Sequence, residues 1–238
     1  MKEAAAKRTI FFRTDFPFGG KIRLEQDETN HLRSLRIFQL HKTVEFRDGK
    51  GSFYLYDIPQ KSLEGTLSIA DKTTSTEPNL VIASAIPKGN RLDWLLQKGT
   101  ETGVSEFIFI NFKRSVRKDF NLSRNEKIIK EAAAQCDRMF LPRIRIFSSL
   151  QKYWEEFSSQ SILLRPDAKQ QASVAQLKNL IPVIGPEGGF DTSELALMAN
   201  CPATSFGNTV MRIETAGLYV ASVKNFLSFF QIEQEKSG

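Results

Sequence analysis

The sequence predicts two parts in series, a small β-rich N-terminal domain and a larger α/β domain with a mostly parallel sheet. Three observations predict this. Short β-rich runs broken by turn residues fill roughly the first 70 positions. The polar stretch "DKTTSTEPN" (71–79) then reads as a linker. Beyond it, apolar runs of strand length alternate with helical patterns, as βαβ units require.

In the first part, "RTIFF" (8–12), "KIRL" (21–24) and "SLEGTLSIA" (62–70) read as strands. "VEFRDGKGSFYLYDI" (44–58) reads as a hairpin, its Asp-Gly pair favouring the turn. "DETNHLRSLRI" (27–37) reads as a short helix, and strands so short suggest a small barrel. In the second part, strands are expected at "LVIASAI" (80–86), "EFIFINF" (106–112), "RIRIF" (143–147), "SILLR" (161–165), "LIPVIG" (180–185) and "ATSFG" (203–207). Helices are expected at 91–103, 123–138, 151–157, 191–200 and, closing the chain, 214–230.

The composition of the 238 residues, 41% hydrophobic and 25% charged, is ordinary for a soluble globular protein. Nothing approaches a run of about 20 apolar residues, so no membrane span is expected. "MKEAAAKRTIFF" lacks an apolar core and a cleavage site, so no secretion signal is expected. Its "EAAAK" resembles a helical spacer and is assigned no function. Cys136 and Cys201 lack CxxC spacing, which argues against a disulfide framework or zinc site. The two histidines, His31 and His41, read as surface residues, and no metal is expected. The formal net charge is +6, and residues 112–145 hold ten Lys/Arg against four Asp/Glu. So concentrated an excess suits a polyanionic partner; the competing reading is a solvated helix face.

Two stretches carry chemistry. In "VIGPEGGF" (183–190), Gly185, Gly188 and Gly189 allow positive φ and close backbone approach to a ligand, and Pro186 stiffens the turn. Asp191 and Glu194 form an Asp variant of the capping box, with Phe190 and Leu195 at staple positions. Glu187 inside the turn would repel a triphosphate, and no Gly-Lys-Ser/Thr is present, so a neutral or cationic ligand fits better. The competing reading is a ligand-free strand-to-helix turn. In "SFGNTVMRIETAGLYV" (205–220), Arg212 and Glu214 enter the closing helix beside the small Thr215, Ala216 and Gly217. The pair marks a site, or else a surface ion pair.

"IGPEGGF" followed by "SFGNTVMRIETA" strongly resembles the SPOUT-class RNA methyltransferases of the RsmE type. "NHLRSLRI" (30–37), "KGNRLDWLLQKGTETGV" (88–104), "RSV" (114–116), "EAAAQCDRMFLPRI" (131–144) and "LLRPDA" (163–168) agree, in order along the chain. The departures are Phe206, Thr209 and Val210-Met211 in the last motif, His41 before the hairpin, and Thr102 in the Glu-x-Gly-Val stretch. The resemblance implies a PUA-like RNA-binding barrel over 1–72. It also implies a SPOUT domain over 73–238 with a trefoil knot at about 160–230. The activity implied is methylation of a uridine N3 in 16S ribosomal RNA of the small subunit, by a cytoplasmic homodimer. Alternatives are another rRNA or tRNA nucleotide, or a non-catalytic RNA-binding protein.

The implied cofactor is S-adenosylmethionine. Three loops would hold it: Leu164 to Ala168, with Leu164 and Pro166; Gly185 to Gly189, with Gly185, Pro186, Glu187, Gly188 and Gly189; and Phe206 to Arg212, with Phe206, Gly207, Val210, Met211 and Arg212, and with Thr215 and Ala216 behind. Uracil N3 must lose a proton during transfer. Arg212 would stabilise the uridine anion or anchor its phosphate, while Glu214 would orient Arg212 or accept the proton. RNA phosphates would meet His31, Arg33, Arg36, Lys88, Arg91, Arg114, Arg117 and Arg138, with Lys113, Lys118 and Arg124 on the same basic face.

Overall fold

The computed structural model describes residues 8–76, 79–115, 120–205, 207 and 209–235. The chain divides into two compact units, one running to Thr76 and including Lys130–Leu141, the other formed by the remainder.

The first unit is built on a five-stranded sheet of β1 (Thr9–Phe12), β2 (Lys21–Arg23), β3 (Lys42–Arg47), β4 (Ser52–Ile58) and β5 (Glu64–Lys72). Their order is β1-β3-β4-β5-β2, with β1 parallel to β3 and the other pairs antiparallel. The expected hairpin forms because the Asp48 carboxylate accepts the amides of Lys50 and Ser52 at 2.7 and 2.9 Å. Gly49 and Gly51 supply the left-handed φ values, 75° and 104°, that the turn needs. Helix α1 (Gln26–Ser34) starts with a Glu25–Glu28 capping box. Glu28 also accepts Arg13 Nε at 2.8 Å, both side chains being buried, so the ion pair is fully hydrogen-bonded. Leu32, Val44, Phe46, Tyr56 and Ile58 fill the core. Arg47 ties Lys130–Leu141 in by donating to the Arg138 carbonyl at 2.8 Å. The polar stretch read as a linker begins inside β5, where Asp71 and Lys72 pair with Phe53 and Ser52. Main-chain pairing needs no apolar side chain when the residues face solvent. Glu77 and Pro78 of that stretch lie outside the described residues.

The second unit is a parallel sheet of β6 (Val81–Ser84), β7 (Glu106–Ile110), β8 (Arg143–Phe147), β9 (Ser161–Leu164), β10 (Ile181–Ile184) and β11 (Ala203–Thr204). Their order is β11-β9-β10-β6-β7-β8. Its helices are α2 (Asn90–Glu101), α3 (Leu122–Gln135, whose last residues count with the first unit), α4 (Leu150–Phe157), α5 (Val174–Asn179), α6 (Thr192–Leu197) and α7 (Ile213–Glu235). The core gathers Ala83, Ile108, Ile110, Tyr153 and Val183.

Helix α5 has no counterpart in the sequence reading, being short and polar. A Ser173–Gln176 capping box starts it. Lys224 of α7 closes it by donating to the carbonyls of Leu177, Lys178 and Leu180 at 2.9, 3.0 and 2.7 Å. Burial pushes the Lys224 pKa down to about 8, and the three carbonyls offset that cost. No helix among the described residues is long and apolar enough to cross a membrane, and none of their His, Cys, Asp and Glu side chains cluster as metal ligands.

Gly99 of α2 lies against β7: a Cβ there would fall 2.6 Å from the buried Phe107 ring. Gly→Ala inside a helix normally stabilises by about 1 kcal/mol. Here overpacking, which costs roughly 1–3 kcal/mol, opposes it. Gly99→Ala is therefore expected to lower the denaturant midpoint; a raised midpoint would contradict this packing.

Candidate active site

Strands β11, β9 and β10 are adjacent and parallel, so the loops leaving their carboxyl ends lie side by side. This is where open α/β sheets bind ligands. The three loops enclose a cavity of about 330 Å³, within the rough range of 300–1,000 Å³ for small-molecule sites. Its walls include Leu164, Ile184, Phe190, Leu195, Met211 and Ile213.

The glycine-rich turn works differently from the sequence reading. Only Gly189 of its three glycines takes positive φ, 71°, and its amide closes the turn onto the Pro186 carbonyl at 2.8 Å. Gly185 has no such φ; a Cβ there would meet the Phe190 ring at 2.8 Å, so it is the ring that requires glycine. At Gly188 a Cβ would meet Arg114 Cβ at 3.4 Å.

The capping box forms as expected. Asp191 Oδ1 accepts from Ser193 N at 3.1 Å, and Glu194 accepts from Asp191 N at 2.8 Å. Glu194 also accepts Lys113 N at 2.7 Å, which pins the segment after β7 to the start of α6. The hydrogen bond from the Ser193 hydroxyl, then its amide, holds the Asp191 carboxyl below the usual range, and Lys113 and Arg114 add to this.

Of the residues expected at a cofactor, the cavity brings together Leu164, Pro166, Gly185, Pro186, Glu187, Gly189, Val210, Met211, Arg212 and Ala216. Gly188, Gly207 and Thr215 lie off its lining, and Phe206 lies outside the described residues. The small residues opening α7 divide their work. Ala216 faces the cavity, and Gly217 admits Leu95, whose Cδ1 would stand 3.0 Å from a Cβ there. Arg165 and Asp167, inside the expected stretch Leu164–Ala168, also line the cavity, whereas Thr204 and Ser205 line it without being expected there. Thr204 ends a two-residue strand and carries no local signal.

The charges pair differently from the expectation. Glu214 does not meet Arg212. It is buried, with Oε1 3.8 Å from Arg91 Nε and Oε2 without a hydrogen-bond partner. Arg91 also forms an ion pair with Glu187, and Lys88 Nζ stands 3.7 Å from the same carboxylate. Glu187 is thus compensated by two cations, so the repulsion of phosphates inferred from it does not hold by itself. Arg212 is exposed on the lining, with no ion pair among the described residues.

The basic segment 112–145 is not one free face. Arg124 grips Asp93 with both Nη atoms, which raises its pKa, and Arg143 and Arg145 pair with Glu106 and Glu156. Arg138 belongs to the first unit. Arg114 reaches the Gly188 carbonyl at 3.4 Å, whereas Arg117 and Lys118 lie outside the described residues. On and after α1, His31, Arg33 and Arg36 are exposed; His31 packs edge-on to Phe11, and Arg33 lies over Phe38.

Comparison with known proteins follows the same lines. Residues 75–225 match the model of the RNA methyltransferase domain family. The ribosomal RNA small subunit methyltransferase E of Bacillus subtilis is 33% identical over 165 residues, 61% of this chain and 64% of that protein, just under two thirds of its length. Its namesake from Rickettsia conorii is 24% identical over 88% of this chain and 91% of its own. Among solved structures, a ribosomal RNA small subunit methyltransferase E from Neisseria gonorrhoeae, bound to S-adenosyl methionine, superposes with a TM-score of 0.76. It is 22% identical and covers 92% of this chain and 98% of its own.

The buried Glu194 carboxylate satisfies two backbone amides at once. Glu194→Gln turns one acceptor into a donor facing an N–H, and is expected to cost about 1–3 kcal/mol in equilibrium denaturation. A loss below that range would mean the bridge to Lys113 contributes nothing.

Proposed function

The chain belongs to the RNA methyltransferase domain family, and from that premise we propose that it is an S-adenosylmethionine-dependent enzyme that methylates small-subunit (16S) ribosomal RNA at N3 of a uridine. The observation that carries this reading is the convergence of three loops on one cavity at the carboxyl ends of β9, β10 and β11.

The lining fits an adenosyl sulfonium. Aliphatic and aromatic side chains offer a nucleoside its walls, and the Gly185–Gly189 backbone offers polar edges. Glu187 and Asp167 bring carboxylates to the lining, and each is already paired with an arginine, so neither is a bare charge. When bound, the cofactor supplies a methyl group activated by its sulfonium. The protein is left to position the uridine and to manage its N3 proton. Arg212, unpaired on the lining, stabilises negative charge developing on the uracil oxygens or anchors the phosphate. Glu214, next to Ile213 of the lining, has a buried carboxylate oxygen without a hydrogen-bond partner, and that oxygen is assigned as the acceptor for the proton.

Lys88, Arg91 and Arg114, around the glycine-rich turn, hold RNA phosphates, as do His31, Arg33, Arg36 and Arg138 in the first unit. The same reading makes the N-terminal sheet a PUA-like RNA-binding barrel, with domains at 1–72 and 73–238. It threads about 160–230 as a trefoil knot and pairs two copies of the chain as a cytoplasmic homodimer. The parallel order β11-β9-β10-β6 supports the threading.

Calorimetry is expected to register S-adenosylmethionine binding. Mass spectrometry of small-subunit rRNA is expected to find one N3-methyluridine that vanishes when the protein is deleted. An intact modification would end the substrate assignment, and absent cofactor binding would leave only RNA binding. Arg212→Ala should lower turnover by about 10²–10³-fold with cofactor binding retained. Normal turnover would remove Arg212 from the chemistry.

A further inference from the structure

The loop between β9 and α5, residues 165–173, forms one wall of the cavity through Arg165, Pro166 and Asp167. Pro166, Asp167 and Lys169–Gln171 are exposed, so little apolar burial holds them. Within the loop, the Ala168 amide meets the Arg165 carbonyl at 3.1 Å, and Arg165 pairs with Asp167. Neither contact fastens the loop to the sheet.

One residue grips both ends. Thr204, the last of β11, is 1% exposed. Its carbonyl accepts Arg165 N at 3.0 Å, and its Oγ1 accepts Ala172 N at 2.9 Å. The hydroxyl's own proton points to the Ser205 carbonyl at 3.5 Å. Just beyond, Lys224 anchors the far end of α5.

We infer that Thr204 is a positioning residue that closes the 165–172 loop into a preformed cavity wall, so that the cofactor meets an ordered surface. This rests on reading the cavity as the S-adenosylmethionine site. A loop already closed loses less conformational freedom when the ligand arrives, and the saving appears as affinity. The hydroxyl acts through the loop, by accepting the Ala172 amide.

Thr204→Val keeps volume and branching and removes the acceptor; Thr204→Ser keeps the acceptor. Calorimetry with S-adenosylmethionine is expected to give a Kd raised about tenfold for Thr204→Val and near wild type for Thr204→Ser. In turnover, KM for the cofactor rises with Thr204→Val while kcat holds. A Thr204→Val protein binding as wild type, or a Thr204→Ser protein as weak as Thr204→Val, overturns the role alone. A wild-type chain that binds no cofactor overturns both the role and the site reading. Should Thr204→Val fail to fold, amide exchange in the wild type decides. The Ala172 amide is expected to exchange more slowly than those of Lys169–Gln171, and equal rates overturn the inference.

Discussion

Parallel pairing of β9 with both β10 and β11 is the constraint on which the candidate site depends. Leu163 and Leu164 align with Val183 and Ile184 on one side and with Ala203 and Thr204 on the other. That register brings three strand ends level. Their loops, far apart in sequence, therefore leave the sheet at one height and enclose a shared space. Parallel strands also need crossovers, and α5 and α6 supply them here within short stretches of chain.

Around that space, charge is arranged by mutual compensation. Glu187 shares Lys88 and Arg91; Arg91 reaches on to Glu214; Asp167 holds Arg165. Isolated charges near a concave surface would bear a desolvation cost that paired ones escape. Two groups stand outside this pairing: Arg212, exposed on the lining, and the buried Oε2 of Glu214, which has no hydrogen-bond partner. The proposed chemistry is assigned to them for that reason.

Glycines in the same turn serve different ends. Gly189 supplies a backbone conformation, and Gly185 supplies absence of volume beside Phe190. At Gly217 the absence serves helix packing against Leu95. A run of glycines therefore marks a place where the chain is crowded or bent, but not which of the two.

Local patterns by themselves determined the alternation of strands and helices, the Asp48–Gly51 hairpin and the Asp191–Glu194 cap, because periodicity, turn chemistry and capping act over a few neighbouring positions; the cavity-lining residues expected from the sequence came instead with the resemblance of its motifs to a known family. Only the tertiary structure decided that Glu214 faces Arg91 rather than Arg212, that the described basic residues of 112–145 are largely paired, that α5 is a helix and that Thr204 spans a loop. Each of these depends on groups up to 123 positions apart, as Glu214 is from Arg91. Distance along the chain sets no limit on a hydrogen bond or an ion pair, so the register of the sheet, and not the order of the residues, selects these partners.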